Sequence, residues 1–435
     1  MPLRDAARAA CLSRAFVCSW RCHPNLTLDQ ITLVNPKVRG KLHCIIDRIL
    51  RNHLGIGLKT LKLNLLEEYN AFPYVDSWLQ DAVTSGIEEL GLVLCKMYNF
   101  PCSLLSDGVR NSIRGLQLYS CVFRPTFELG PFRRLTSLEL SWVCITGDEL
   151  ECLLSNSLAL EKLALYNCEE IIFLKIPCVL QQLSCLTVLG CYRLQAIECK
   201  APNLSIIGFF GENTKLSLGQ QLQMKKLDMW HPNVVCYARA ELPSIMPNLE
   251  TLLIGSDTEV VNTPMLLTKF LYLKHLTIQI FERTLSPSYD YFSLVSFFDA
   301  SPSLETFLLH VPQEDLKHES VFGGSPNLRQ LPKHRHDCLK IVEIIGFSSA
   351  KSLIELTCYI VKNAVSLERL TLDTVRCCLR CYGEANETCW PIISNAVLKE
   401  ASRTVVAIRM YIEDKVAPKA KLTVLEPCTR CHSSG

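Results

Sequence analysis

Apolar residues recur along the chain in one six-residue pattern, apolar-x-x-apolar-x-apolar. It opens as "LKTLKL" at Leu58, continues through "IRGLQL" at Ile113, "LEKLAL" at Leu160 and "LETLLI" at Leu249, and closes with "LERLTL" at Leu367. Thirteen copies start 20 to 35 residues apart, a spacing that marks a repeat array. The last two apolar positions of each copy are two residues apart, the period of a strand with one buried face. Three residues after that pair stands Cys95, Cys121, Cys168 or Cys191 in four copies. A small side chain fits there because the backbone turns inward against the next coil. Prolines before several copies, at Pro202, Pro247 and Pro302, end the preceding segment and favour extended geometry in their neighbour.

The spaces between copies read as helices. Apolar spacing predicts them over 77–85, 147–157 and 291–301. Strand and return helix in series make a solenoid whose single repeats cannot fold alone. The predicted fold is α/β: a curved leucine-rich-repeat solenoid with irregular strand–helix repeats. "LPKHRHDCLK" (331–340) interrupts the pattern with Pro332 and a charged cluster. Beyond it a strand, a long amphipathic helix and a second strand are expected, then the helix "NAVLKEAS" and the strand-like "VVAIRMYI". These form a small terminal α/β unit capping the array. At the other end apolar and basic residues alternate at helical spacing from Leu3 onward, so the chain opens inside a helix.

Composition narrows the compartment and the partners. With 45 basic and 43 acidic residues the net charge is +2, too balanced for sequence-independent binding to nucleic acid. No apolar run reaches the 18 or so residues of a membrane-spanning helix, and a hydrophobic content of 49% supports a full core. The 23 cysteines sit inside apolar patterns in a long chain, where free cysteine behaves as a small buried hydrophobe. A reducing compartment, cytoplasm or nucleus, is expected.

Three stretches resemble one family, the plant F-box/leucine-rich-repeat proteins that end in an FBD or FBD-like region. "GFSSAKSLIELTCYIVKNAVSLERLTLD" is close to that family's C-terminal region, and "IDRILRNHLGIGLKTLKLNL" looks like the start of its repeats. "MPLRDAARAACLSRAFVCSWRCHPNLTLD" is similar to the second half of an F-box, the helical module that docks on the adaptor of an SCF ubiquitin ligase. The resemblance implies three parts: a partial F-box at 1–29, a repeat array at 30–330, and an FBD-like C-terminal region at 331–435 that continues the repeats. It also implies a residual adaptor-side helix offering Leu3, Ala7, Leu12, Phe16 and Trp20, with much of the adaptor contact belonging to a first segment upstream of Met1. A competing reading takes Arg4, Arg8, Arg14 and Arg21, opposed only by Asp5, as a transit peptide. The F-box wording is the more specific.

Motifs for catalysis or cofactors are sparse. "GIGLKT" (55–60) lacks the spacing of a phosphate loop and precedes a strand rather than following one. Two C-x-x-C pairs, Cys378 with Cys381 and Cys428 with Cys431, the latter beside His432, could supply a tetrahedral thiolate zinc site. The 46 residues between them exceed ribbon spacing, so free thiols are the simpler expectation. In "KHRHDC", His334, His336 and Cys338 alternate as on a strand face, but no fourth ligand is near, and a solvated basic loop is expected. No cofactor and no catalytic residue is assigned.

The positions left over face outward from the sheet. The residue after the last apolar position is Tyr119, Tyr166, Trp230, Gln279 and His310 in different copies. Aromatic side chains on an accessible sheet are hot-spot candidates for a protein partner, or pack sideways between coils. The expected function is non-catalytic protein recognition on the concave surface. By resemblance it is that of a substrate receptor presenting a target to an SCF adaptor and cullin ligase. A ligase-independent scaffold or decoy is the alternative, and a zinc-binding protein or enzyme the remote one.

Overall fold

The computed structural model of the protein describes residues 20–29, 33, 42–53, 57–211, 215–218, 223–281, 289–312, 318–323, 327–329, 333–375 and 394–427. Its chain contacts divide it into two compact units, Met1–Gln221 and Leu222–Gly435.

In the first unit the strands are β1 (Asn25–Leu28), β2 (Thr60–Leu65), β3 (Glu89–Asn99), β4 (Gly115–Val122), β5 (Ser137–Ser141), β6 (Lys162–Tyr166), β7 (Phe173–Ile176), β8 (Cys185–Leu189), β9 (Ala196–Cys199), β10 (Ile206–Phe210) and β11 (Lys215–Leu218). The helices are α1 (Leu42–Asn52), α2 (Val75–Ala82), α3 (Asp107–Arg110) and α4 (Gly147–Ser155). A parallel sheet runs β1-β2-β3-β4-β5-β6-β8-β10, and a second one runs β7-β9-β11. In the second unit β12 (Lys226–Trp230), β13 (Thr251–Ser256), β14 (His275–Ile280), β15 (Thr306–His310), β16 (Ile341–Ile345), β17 (Arg369–Asp373) and β18 (Lys421–Leu425) pair consecutively in parallel. They are covered by α5 (Val234–Ile245), α6 (Val295–Ala300), α7 (Lys351–Asn363) and α8 (Asn395–Tyr411).

All thirteen pattern copies are strands, and each strand starts at the third residue of its copy. The register repeats without slip because like residues face like. Leu116 pairs with Leu138, Leu138 with Leu163 and Leu163 with Leu186; in the second unit Leu252, Leu276, Phe307 and Val342 follow in one line. These side chains are essentially solvent-free and form the spine of each unit. A backbone clamp sets the register at most coils: two successive N–H groups donate to one carbonyl of the coil before, as Glu250 and Thr251 do to Lys225, and Lys274 and His275 to Glu250. The residues at that clamp alternate in sign. Lys225–Glu250 (3.6 Å), Glu250–Lys274 (3.5 Å) and Glu305–Lys340 (3.0 Å) are ion pairs along one edge. Exposed pairs contribute at most about 1 kcal/mol each; a slipped register would forfeit them.

Local chemistry accounts for the helices. Thr146 caps α4 in a reciprocal box, its Oγ1 accepting from Glu149 N (3.3 Å) while Glu149 Oε2 accepts from Thr146 N (2.8 Å). Helices occur at all three predicted stretches: α2, α4, and a 3-10 turn running into α6. Four expectations are corrected. "VVAIRMYI" lies in α8, whose buried Val397, Leu398, Ala401, Thr404 and Ile408 follow a helical period. The strand assigned to it is β18, ten residues further on. Strand β18 and β1 escape the pattern because Lys419 and His23 stand where an apolar residue is required. The coils holding β6, β8 and β10 return by the strands β7, β9 and β11 instead of helices, since gaps of 20 to 23 residues between pattern starts leave little room for one. Finally, Cys95 is not equivalent to its companions. The register shifts between Val93 and Tyr98, so Tyr98 stands opposite Cys121, and Cys95 is only half-buried, while Cys121, Cys168 and Cys191 are buried.

Leu3, Ala7, Leu12 and Phe16 lie outside the described residues, as do both C-x-x-C pairs. Trp20 is described: it is half-buried, with the Arg21 guanidinium 5.8 Å from its ring centre. Every described cysteine is a free thiol. No helix among the described residues is long and apolar enough to cross a membrane.

Candidate recognition face

Strand alternation buries one residue and turns the next outward, so parallel coils in register align their outward residues into rows. In the first unit one such row reads Val93, Tyr119, Ser141, Tyr166, Leu189. Tyr119 and Tyr166 flank Ser141 from the two neighbouring strands, about 10 Å apart at the usual strand spacing. Both rings are half-buried and Ser141 is buried, which makes a notch between two aromatic walls. The adjacent row supplies polarity. Gln117 Nε2 donates to Glu139 Oε1 at 3.0 Å, and burial together with the Glu139 charge pushes the Tyr166 phenol above its ordinary pKa. Tyr166 therefore stays a neutral hydroxyl that can donate to a partner's acceptor.

A further residue completes this site and was not singled out in the sequence. Seven residues after the pattern start, the chain turns a left-handed corner in consecutive coils: Ser120 (φ 60°), Trp142 (φ 54°), Asn167 (φ 52°) and Gly190 (φ 70°), with Gly346 (φ 80°) at the same offset in the second unit. The corner extends the inter-strand ladder, Trp142 N donating to Tyr166 O and Asn167 N to Leu189 O, both at 2.8 Å. Asparagine, serine and glycine are tolerated in that conformation; a tryptophan is an outlier. It holds Trp142, 46% exposed, at the corner immediately after Ser141. The Asn and Gly at this fixed offset are the one sequence signal that could have located the corner.

In the second unit Trp230, Gly255, Gln279 and His310 occupy one row. Trp230 lies flat across Gly255: a Cβ on that glycine would sit 2.3 Å from the indole. It stacks on Phe281 (5.4 Å, 29° between planes), and its Nε1 donates to Asp228 at 2.6 Å. This aromatic packs sideways onto its neighbours. Gln279 and His310 are half-buried in the same row. Of the five residues expected on the face, Tyr119 and Tyr166 are thus brought into one row on either side of Ser141, and Trp230 is committed to its own unit.

Two polar clusters bear on other chemistries. Lys333, His334 and Arg335 are exposed, as expected of a solvated basic loop, but His336 is 7% exposed, and its Nε2 is 2.9 Å from Tyr359 Oη. Tyr359 donates its only hydroxyl proton to Asp299 (2.8 Å), so His336 Nε2 is the donor and the ring is the neutral Nε2–H form. His334 stacks on it at 5.1 Å. Burial, with the neighbouring His334, pushes the His336 pKa down to about 4. A cleft of about 400 Å³ lies near Arg329. That guanidinium sits over the Phe292 ring (4.6 Å), grips Asp290 with two nitrogens (2.8 and 3.2 Å) and meets the buried Glu355 at 2.6 Å. The cluster's arginine is engaged by its own carboxylates. Among the described residues no three His, Cys, Asp or Glu side chains converge as a metal site.

No curated protein matches the chain. The family described as "At1g61320/AtMIF1, LRR domain" matches it over residues 49–429, from the end of α1 past β18. With that match spanning both units and every strand from β2 to β18, the chain belongs to the At1g61320/AtMIF1 leucine-rich-repeat domain family.

Proposed function

We propose that this chain is a non-catalytic recognition protein of the cytoplasm or nucleus that docks a protein target on its outward strand rows, chiefly at Tyr119, Trp142 and Tyr166. The observation that carries this reading is the row in which Tyr119 and Tyr166 flank Ser141 on a rigid sheet, followed by a left-handed corner that leaves Trp142 exposed. Strain of this kind persists where surrounding structure over-determines it and clusters at functional sites, and aromatic anchors on rigid elements dominate protein interfaces. A leucine-rich-repeat domain is a protein-interaction architecture, and fold alone names no target.

The finer reading is delivery to an SCF-type ubiquitin ligase. It rests on the F-box likeness of residues 1–29 and the FBD-like likeness of 331–435. The chain is expected to capture the SCF adaptor in co-purification when a complete F-box, including a first helix upstream of Met1, is supplied, and not without it. Capture by the sequence as it stands would overturn the dependence on that upstream segment. No capture in either form would leave the ligase-independent scaffold as the reading. For the face itself, Tyr119→Ala with Tyr166→Ala should lower the affinity of a captured target by about 2 kcal/mol or more, some thirtyfold, without changing the melting temperature by more than a few degrees. An unchanged affinity would place the target elsewhere.

A further inference from the structure

The connection from β13 to β14 differs from the returns on either side of it. Where its neighbours carry α5 and α6, residues 257–272 form no helix or strand. A parallel crossover returns over the layer behind the sheet, so this segment lies on the side opposite the outward rows. It turns Val260, Val261, Met265, Leu267, Leu271 and Tyr272 into solvent, with Leu267 98% exposed.

Polar anchors run along the whole segment. Val260 N donates to Asn233 Oδ1 (2.9 Å), Asn262 Oδ1 accepts from Asp290 N (2.9 Å), Thr263 N donates to Ser293 Oγ (3.1 Å) and Phe270 N to Ala300 O (2.9 Å). Glu259 is fully buried and accepts from Val235 N at the start of α5 (3.0 Å). The middle is held by Arg239 of α5, a side chain 1% exposed. Its Nε donates to Ser296 O of α6 (3.0 Å), one Nη to Leu266 O (2.6 Å) and the other to Thr268 Oγ1 (3.2 Å). A buried guanidinium thus holds the Leu266 carbonyl and the Thr268 hydroxyl, one on each side of Leu267. The apolar side chains are presented on a braced ridge.

We propose that this ridge is the contact between two copies of this chain, an isologous dimer with Leu267 near the two-fold axis. The exposed surface of the six residues and Leu266 is on the order of 700 Å², above the usual largest patch of a monomer and close to the roughly 800 Å² per partner of a standard interface. Within 257–272 the only exposed charge is Lys269. Self-pairing through this segment therefore brings no block of like charge together, and the segment itself carries neither a charged frame for a charged partner nor the cationic flank that a lipid surface requires. Because the ridge lies behind the sheet, pairing leaves the rows around Trp230, Gln279 and His310 open.

Sedimentation velocity on the full chain tests this. The wild type should reach twice 49.1 kDa with a Kd of about 1 μM. Leu267→Asp and Met265→Asp should each weaken association at least a hundredfold, while the thermal melt recorded well below the wild-type Kd is unchanged, since both side chains are exposed in the single chain. Phe127→Asp, an equally exposed apolar residue of the first unit, should leave the dimer intact. A wild type that stays monomeric to about 50 μM, some fifty times that Kd, overturns the proposal. So does a dimer indifferent to both ridge variants. A monomer that floats with lipid vesicles through Leu267 would assign the ridge to a membrane instead and equally refute it.

Discussion

At the residue scale, the recognition face depends on a backbone conformation rather than on a side-chain type. Trp142 sits at φ 54°, where its Cβ crowds the backbone and costs roughly 1 kcal/mol. Glycine is free of that cost at such a position. Trp142→Gly is therefore expected to hold or raise stability by up to about 1 kcal/mol in urea denaturation while lowering target affinity. A clear loss of stability would make Trp142 a packing residue and withdraw it from the site. The tyrosines were legible because a fixed offset from the pattern places them outward. Trp142 was not, since its conformation contradicts its local preference, as strained functional positions do. Gly255 was invisible for a related reason: only the neighbouring indole reveals why a side chain is missing there.

At the element scale, the connection between β15 and β16 joins α6 and α7 through one hydrogen-bonded chain, His336–Tyr359–Asp299. In the unfolded chain the imidazole takes up a proton near pH 6.5; in the folded protein it resists until about pH 4. The unfolded state binds more protons within that window, so stability falls as pH drops through it and the contribution is undiminished at pH 7 and above. The loss across the whole window is on the order of 3 kcal/mol. His336→Gln keeps a donor to Tyr359 without the titration. Urea midpoints at pH 7 and 4.5 should differ less in this variant than in the wild type; an equal drop in both would assign the acid sensitivity to other groups. The solvation expected of the cluster holds at Lys333, His334 and Arg335, whereas the burial of His336 was not legible, because it depends on Tyr359 and Asp299, 23 and 37 residues away in sequence. The same holds for "VVAIRMYI", where a β-branched run is overridden by the face that α8 must bury.

At the scale of the whole molecule, each coil meets its neighbours through matched leucines, so damage should spread coil by coil. Leu165 is fully buried and pairs with Leu140 and Val188. Leu165→Ala should cost about 2–5 kcal/mol, with faster amide exchange concentrated in β5, β6 and β8 and little change in β2. A uniform rise throughout the first unit would show a single cooperative block instead.

The sequence by itself determined the number, start and register of thirteen strands, because a spine shared by every coil forces the same apolar spacing each time. It determined which residues face outward, because alternation along a strand is a local rule. Tertiary structure alone decided which of those residues are available, what covers the back of each coil, and where the chain turns left-handed. Those outcomes depend on side chains arriving from other coils: an indole over a glycine, a buried arginine bracing a ridge, a tyrosine fixing an imidazole. No local pattern encodes a neighbour that lies twenty or more residues away.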